Sequence, residues 1–90
     1  MLTPEYTNRF NKDVALAVRR GYNMERMKAI IRRLINEEVP LPAHNRDHTM
    51  TGNYAGHRSC HIEPDWVLLY YYTANTVVFA RTGTHLDLYR

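Results

Sequence analysis

Apolar positions change their period part-way along this chain. Phe10, Val14, Ala17 and Val18 recur at helical spacing and share one stripe of a helix that Thr7 or Asn11 can cap and Gly21 ends. Asn23 caps a second helix running to about Glu38. Met24, Met27, Ile30, Ile31, Leu34 and Ile35 fall on one side of it, and Arg26, Lys28, Arg32 and Arg33 take the rest of the circumference. Val39-Pro40-Leu41-Pro42 ends helical structure, because proline lacks the amide donor and forces its predecessor to extend. Beyond the polar stretch that closes with Thr51-Gly52-Asn53, the pattern predicts strands near Tyr54 to Ile62, Trp66 to Tyr72 and Thr76 to Arg81. Glu63-Pro64-Asp65 and Thr73-Ala74-Asn75 are short turns, so successive strands are expected to be antiparallel neighbours. The strand from Trp66 to Tyr72 is apolar at both parities, which suits a strand covered on both faces, one of them by the helices. A short piece around Leu2 to Tyr6 can add an edge strand, where Pro4 is tolerated. The expected fold is α+β: two N-terminal helices packed on a small antiparallel β-sheet.

Composition narrows the function classes. Ninety residues, 44% of them hydrophobic, suffice for a single domain over residues 1–90 with one core and a shallow site. No run approaches the roughly 18 apolar residues of a spanning helix, and the N-terminus lacks a basic flank and apolar segment, so a cytoplasmic protein with no membrane partner is expected. The single cysteine, Cys60, rules out an internal disulfide and a thiolate zinc site, and reads as an inert strand residue. Residues 1–45 hold 8 Lys/Arg against 5 Asp/Glu, whereas residues 46–90 hold 4 of each. The excess peaks between Arg19 and Arg33, where six basic groups face one acid, Glu25. That stretch suits phosphate contact or, equally, a solvated helix face.

Four of the five histidines, His48, His57, His61 and His85, lie in the neutral half, near Asp65, Trp66, Arg58 and Arg81 in sequence. Two chemistries fit such a set. Zinc accepts three histidines and Asp65, but no spacing here matches a compact ligand motif. Acid and base catalysis on a phosphodiester needs imidazoles that titrate near neutrality, and an arginine to stabilise the crowded phosphate.

Leu41-Pro42, Asp47-His48, Gly52, Gly56-His57-Arg58, His61-Ile62-Glu63-Pro64-Asp65-Trp66-Val67-Leu68-Leu69-Tyr70 and Arg81-Thr82-Gly83-Thr84-His85 closely resemble the YafQ family of bacterial toxins, within the RelE/ParE superfamily. The resemblance runs from about Phe10 to Tyr89. It implies a small α+β, ribosome-dependent mRNA endonuclease that acts on message in the ribosomal A site and is held inactive by a cognate antitoxin. It further implies a metal-free, cofactor-free reaction in which a ribose 2′-hydroxyl attacks the adjacent phosphate. By position, His48, His61, Asp65 and His85 resemble the family's acid/base set. Arg58 and Arg81 become the expected phosphate contacts, Trp66 and Tyr89 the base or ribose contacts, and Arg26, Lys28, Arg32 and Arg33 the ribosome or RNA contacts. The alternative is a non-catalytic toxin of the same superfamily fold that blocks gyrase or the ribosome by binding. Strand parity complicates the set, since His57, Ser59 and His61 share one side of a regular strand and Arg58 points to the other. Arg58 and His61 can face one substrate only across a bulge or a strand end.

Overall fold

The computed structural model describes residues 1–89. In chain order it contains β1 (Thr3–Tyr6), α1 (Asn8–Arg19), α2 (Met24–Ile35), β2 (His48–Thr49), β3 (Arg58–Glu63), β4 (Trp66–Tyr72), β5 (Thr76–Gly83) and α3 (His85–Tyr89), with 3-10 turns at Ala43–Asn45 and Gly52–Tyr54. The strands form one sheet in the order β1-β5-β4-β3-β2. Its β2–β3, β3–β4 and β4–β5 pairs are antiparallel, and β1 joins β5 in parallel, so the sheet is mixed at one edge. A parallel neighbour needs a long crossover, and everything from α1 to β4 supplies it.

The helix boundaries follow their caps. The Thr7 hydroxyl accepts the Phe10 amide at 3.0 Å, and the Asn23 side chain accepts the Glu25 amide at 3.1 Å. Gly21 takes a φ of 75°, the left-handed turn that ends α1 and redirects the chain into α2. Helix α2 stops at Ile35 rather than Glu38, because Glu37 is itself left-handed at φ 59°. Phe10, Ala17, Met27, Ile30, Ile31 and Leu34 pack with Cys60, Ile62, Leu68, Tyr70, Val77 and Phe79 into one core between helices and sheet. Val18, expected in that stripe, is 58% exposed: it sits at the end of the apolar arc, beyond the reach of the sheet.

The other parity of β4 carries Val67 and Leu69, which with Leu88 of α3 form a smaller cluster lined by Met50 and Tyr54. Both faces of β4 are thus covered, the second by α3 and the segment around residues 50–54. Burial pushes the Cys60 thiol far up, in keeping with an inert core residue.

Strand β3 begins at Arg58, not near Tyr54. Residues 52–54 coil into a 3-10 turn, and Gly56 at φ 87° bends the chain into the strand. Helix α3, like the two-residue strand β2, is an element the apolar period did not predict. Thr84 and Asp87 cap it reciprocally, with Thr84 N–H on Asp87 Oδ2 at 2.9 Å and Asp87 N–H on Thr84 Oγ1 at 3.1 Å. Arg20 clamps the same Asp87 at 2.7 Å, fastening α3 to the end of α1.

Candidate active site

The sheet face away from α1 and α2 collects the titratable side chains. His61 pairs with Val67 across β3 and β4, and His48 pairs with Ser59 across β2 and β3, so His48, Ser59 and His61 share that face. The chain delivers His85 at the first position of α3, with one residue between it and the end of β5. Asp65, in the β3–β4 turn, accepts both the His85 backbone N–H at 2.9 Å and its Nδ1–H at 2.6 Å through one oxygen. These two bonds hold the Asp65 carboxyl below its ordinary range, the backbone bond contributing more than the side-chain bond. They also orient the His85 ring, so that its Nε2 lies 3.2 Å from His61 Nε2.

Asp65, His85 and His61 therefore form one chain of hydrogen bonds, with a single proton between the two facing nitrogens. Burial lowers the proton affinity of His61, and positive charge on His85, Arg46 and His48 lowers it further. Asn45, itself buried, donates from Nδ2 to the His61 carbonyl at 2.8 Å, just before the β3 bulge between His61 and Glu63. His48 is held separately: its Nδ1 donates to the Arg46 carbonyl at 2.7 Å, which leaves Nε2 free on the exposed side. Tyr89 flanks the pair, its ring 5.8 Å from His85 and its hydroxyl 3.3 Å from Ser59 Oγ.

Not every expected residue joins this cluster. Arg58 stands on the helix-side parity of β3, where it ion-pairs with Asp47 at 3.3 Å; the same Asp47 accepts the buried Tyr70 hydroxyl at 2.6 Å. The bulge lies beyond His61, not between Arg58 and His61, so it does not bring Arg58 across. The structure thus places Arg58 apart from the His61–His85 pair, with its charge met by Asp47. Trp66 is 2% exposed, packed on Tyr22 at 4.9 Å, with its indole N–H on Thr82 Oγ1 at 2.8 Å. Its ring offers no face to a base, because its parity on β4 sends it into the helix-side core. Arg81 lies on the reactive parity, but Asp13 holds its Nε at 2.7 Å and its NH2 at 3.3 Å, with side chains only 15% and 11% exposed.

On α2, Arg26 and Arg32 are exposed, and Lys28 reaches Glu25 at 3.5 Å. Arg33 instead turns to the Glu38 and Pro40 carbonyls at 3.1 and 3.5 Å and closes the helix end, which removes it from the free basic face. The sequence motifs assign no role to Asn45, Arg46 or Asp47. The run Asn45-Arg46-Asp47-His48 was their only local signal. Among the described residues, no three His, Cys, Asp or Glu side chains converge as a metal cage.

A facing imidazole pair, oriented by a carboxylate on a shallow surface of a small α+β domain, defines a site for proton transfer to and from a large substrate. That class is given a family by comparison with known proteins. The family model for the bacterial toxin of type II toxin-antitoxin systems, YafQ, matches residues 2–90, and the chain belongs to this family. It is 44% identical over 85 residues to the mRNA interferase toxin YafQ of Escherichia coli K12, covering 94% of this chain and 92% of that one. The crystal structure of YafQ from E. coli BL21(DE3) superposes with a TM-score of 0.95 at 40% identity, over the full length of both chains. YafQ in the E. coli DinJ-YafQ complex gives 0.93 at 41% identity, again over both full lengths.

Proposed function

We propose that this chain is an mRNA interferase, the toxin of a type II toxin–antitoxin pair, which cuts message on the ribosome and so stops translation. In this reading a ribose 2′-hydroxyl attacks the adjacent phosphorus, its proton passing to His61 Nε2. His85, held by Asp65, donates a proton to the departing 5′-oxygen. The products are a 2′,3′-cyclic phosphate and a 5′-hydroxyl, and no step calls for a metal. The observation that carries the reading is the hydrogen-bonded series Asp65–His85–His61, with bonds of 2.6 and 3.2 Å. The two nitrogens are too close to admit a phosphate, so the message must part the rings as it enters. Once parted, one ring is ready to accept and the other to donate.

The site is open and shallow, so it does little to align an RNA strand by itself. A ribosome that holds the message in an attack-ready geometry supplies what is missing, and this accounts for ribosome dependence. His48 and the exposed ring of Tyr89 border the same surface and are the contacts for the nucleotides on either side. A cognate antitoxin neutralises the chain by covering this surface and the basic face of α2. No helix among the described residues is long and apolar enough to cross a membrane, and the reaction belongs where ribosomes are, in the cytoplasm.

The experiment is expression of the chain alone and together with the protein from the adjacent reading frame. Growth arrest that is relieved by a stable complex of the two supports the proposal. Harmless expression of the verified chain at high level overturns it.

A further inference from the structure

Both arginines that sequence suggested for the phosphate are already occupied: Asp47 holds Arg58 and Asp13 holds Arg81. Their charge is offset within the fold, and the crowded phosphodiester still needs a cation. Two guanidiniums meet that need. Arg46 and Arg26 are exposed, make no ion pair among the described residues, and line one open cleft of about 340 Å³ whose wall includes His61.

We propose that Arg46, assisted by Arg26, forms an anion subsite beside His61 that takes a backbone phosphate of the RNA next to the scissile linkage. The proposal rests on the function given above and adds a residue that neither the sequence motifs nor the histidine cluster pointed to.

The backbone around Arg46 is built for the task. Arg46 adopts a left-handed conformation at φ 51°, which is uncommon for a residue of this kind and persists only where surrounding bonds enforce it. They do so here: its amide donates to the Ala43 carbonyl at 3.0 Å, and its own carbonyl accepts from His48 Nδ1 at 2.7 Å. The preceding residue, Asn45, bonds the His61 carbonyl. One short turn therefore ties the cation to both histidines, so a phosphate seated on Arg46 has a defined position relative to them. The positive charge of Arg46 also adds to what keeps His61 neutral and able to accept a proton. Glu63 lines the cleft as well and opposes an anion, but two guanidiniums face that one carboxylate. A planar fork that grips two phosphate oxygens is the specific property of arginine.

A phosphate of ribosomal RNA has the same chemistry, and the test separates the two sources. Single-turnover cleavage is measured on ribosomes carrying a defined message whose linkages flanking the cut are replaced one at a time by neutral methylphosphonate. The expected result is a loss of about 10- to 100-fold for Arg46→Gln on unmodified message, the size of a lost charged contact. The wild-type chain should lose a similar factor at one flanking linkage, with no further loss when variant and neutral linkage are combined. Arg46→Lys, which keeps the charge and the same backbone demands, should recover part of the rate and thereby excludes a folding defect. Binding of His85→Ala chains, with and without Arg46→Gln, to the same ribosomes should show the same non-additive pattern whether or not cleavage follows. This arm keeps failure of the subsite distinct from failure of the reaction. An Arg46→Gln chain within threefold of wild type overturns the proposal. Losses that multiply at every linkage overturn it too, and assign Arg46 to ribosomal RNA.

Discussion

Replacing Trp66 by phenylalanine separates a core role from a substrate role. In the fold the indole is buried, and its N–H meets Thr82 Oγ1 at 2.8 Å, while that hydroxyl donates onward to the Val67 carbonyl at 2.8 Å. Phenylalanine keeps the ring beside Tyr22 but removes the N–H. Thr82 still donates to Val67, so only one acceptor site is stranded, at a cost of about 1 kcal/mol. The missing pyrrole edge leaves a small cavity worth a further 1–2 kcal/mol, roughly. The variant should therefore be less stable by about 2–3 kcal/mol, a fall of roughly 8–24 °C in Tm for a domain of this size if each kcal/mol moves Tm by about 4–8 °C. Its single-turnover cleavage, measured well below that Tm, should stay within about fivefold of wild type. Denaturant melts and cleavage are to be read on the same preparation. A variant of wild-type stability that cuts 100-fold more slowly would refute the reasoning and return the indole to the substrate surface.

His85→Ala should lower single-turnover cleavage by about two to four orders of magnitude while ribosome binding survives, the range for losing a positioned acid or base; equal cleavage by both chains would remove His85 from the mechanism. The cleavage rate should hold as pH drops through the ordinary histidine value and decline only below it, because burial and neighbouring charge depress the His61 value from 6.5; a decline centred above 6.5 would contradict this. Asp87 is held below its ordinary 3.8 first by Arg20 and then by the Thr84 amide, so its contribution to stability is complete above that value and vanishes as pH falls through the depressed one. The stability gap between wild type and Asp87→Asn should accordingly close in acid, and a gap that widens there would be inconsistent. Changing Lys28 and Arg32 to glutamine should weaken ribosome association and flatten its salt dependence, with little effect on the rate at saturation; unchanged binding would mark the helix face as merely solvated.

Local signals were readable where a residue's role is set by its neighbours in sequence. The Thr7 and Asn23 caps, the Gly21 stop and both hairpins of the three main strands lie where period and turn chemistry placed them. Helix α3 escaped because five residues are too few to show a period, although Thr84 and Asp87 at capping-box spacing were its trace. The site divides in the same way. Asp65 and His85 were recognisable as a set, but the partners of Arg58 and Arg81 lie 11 and 68 residues away, and only the fold reveals that these cations are already neutralised. Parity already set Arg58 apart from His61, and the observed sheet keeps them apart. For Trp66, alternation along β4 places the ring in the helix-side core, a side that apolarity at both parities of β4 left open.

The most direct test of the account is the chemistry of the cut ends. Programmed ribosomes carrying a defined message are incubated with the chain in a chelator that removes zinc and copper, while magnesium keeps the ribosomes intact, and the message ends are then characterised. The account predicts discrete cuts bearing a 2′,3′-cyclic phosphate and a 5′-hydroxyl, abolished by His85→Ala. Message left whole while translation stops, or cut ends bearing a 5′-phosphate, would contradict it.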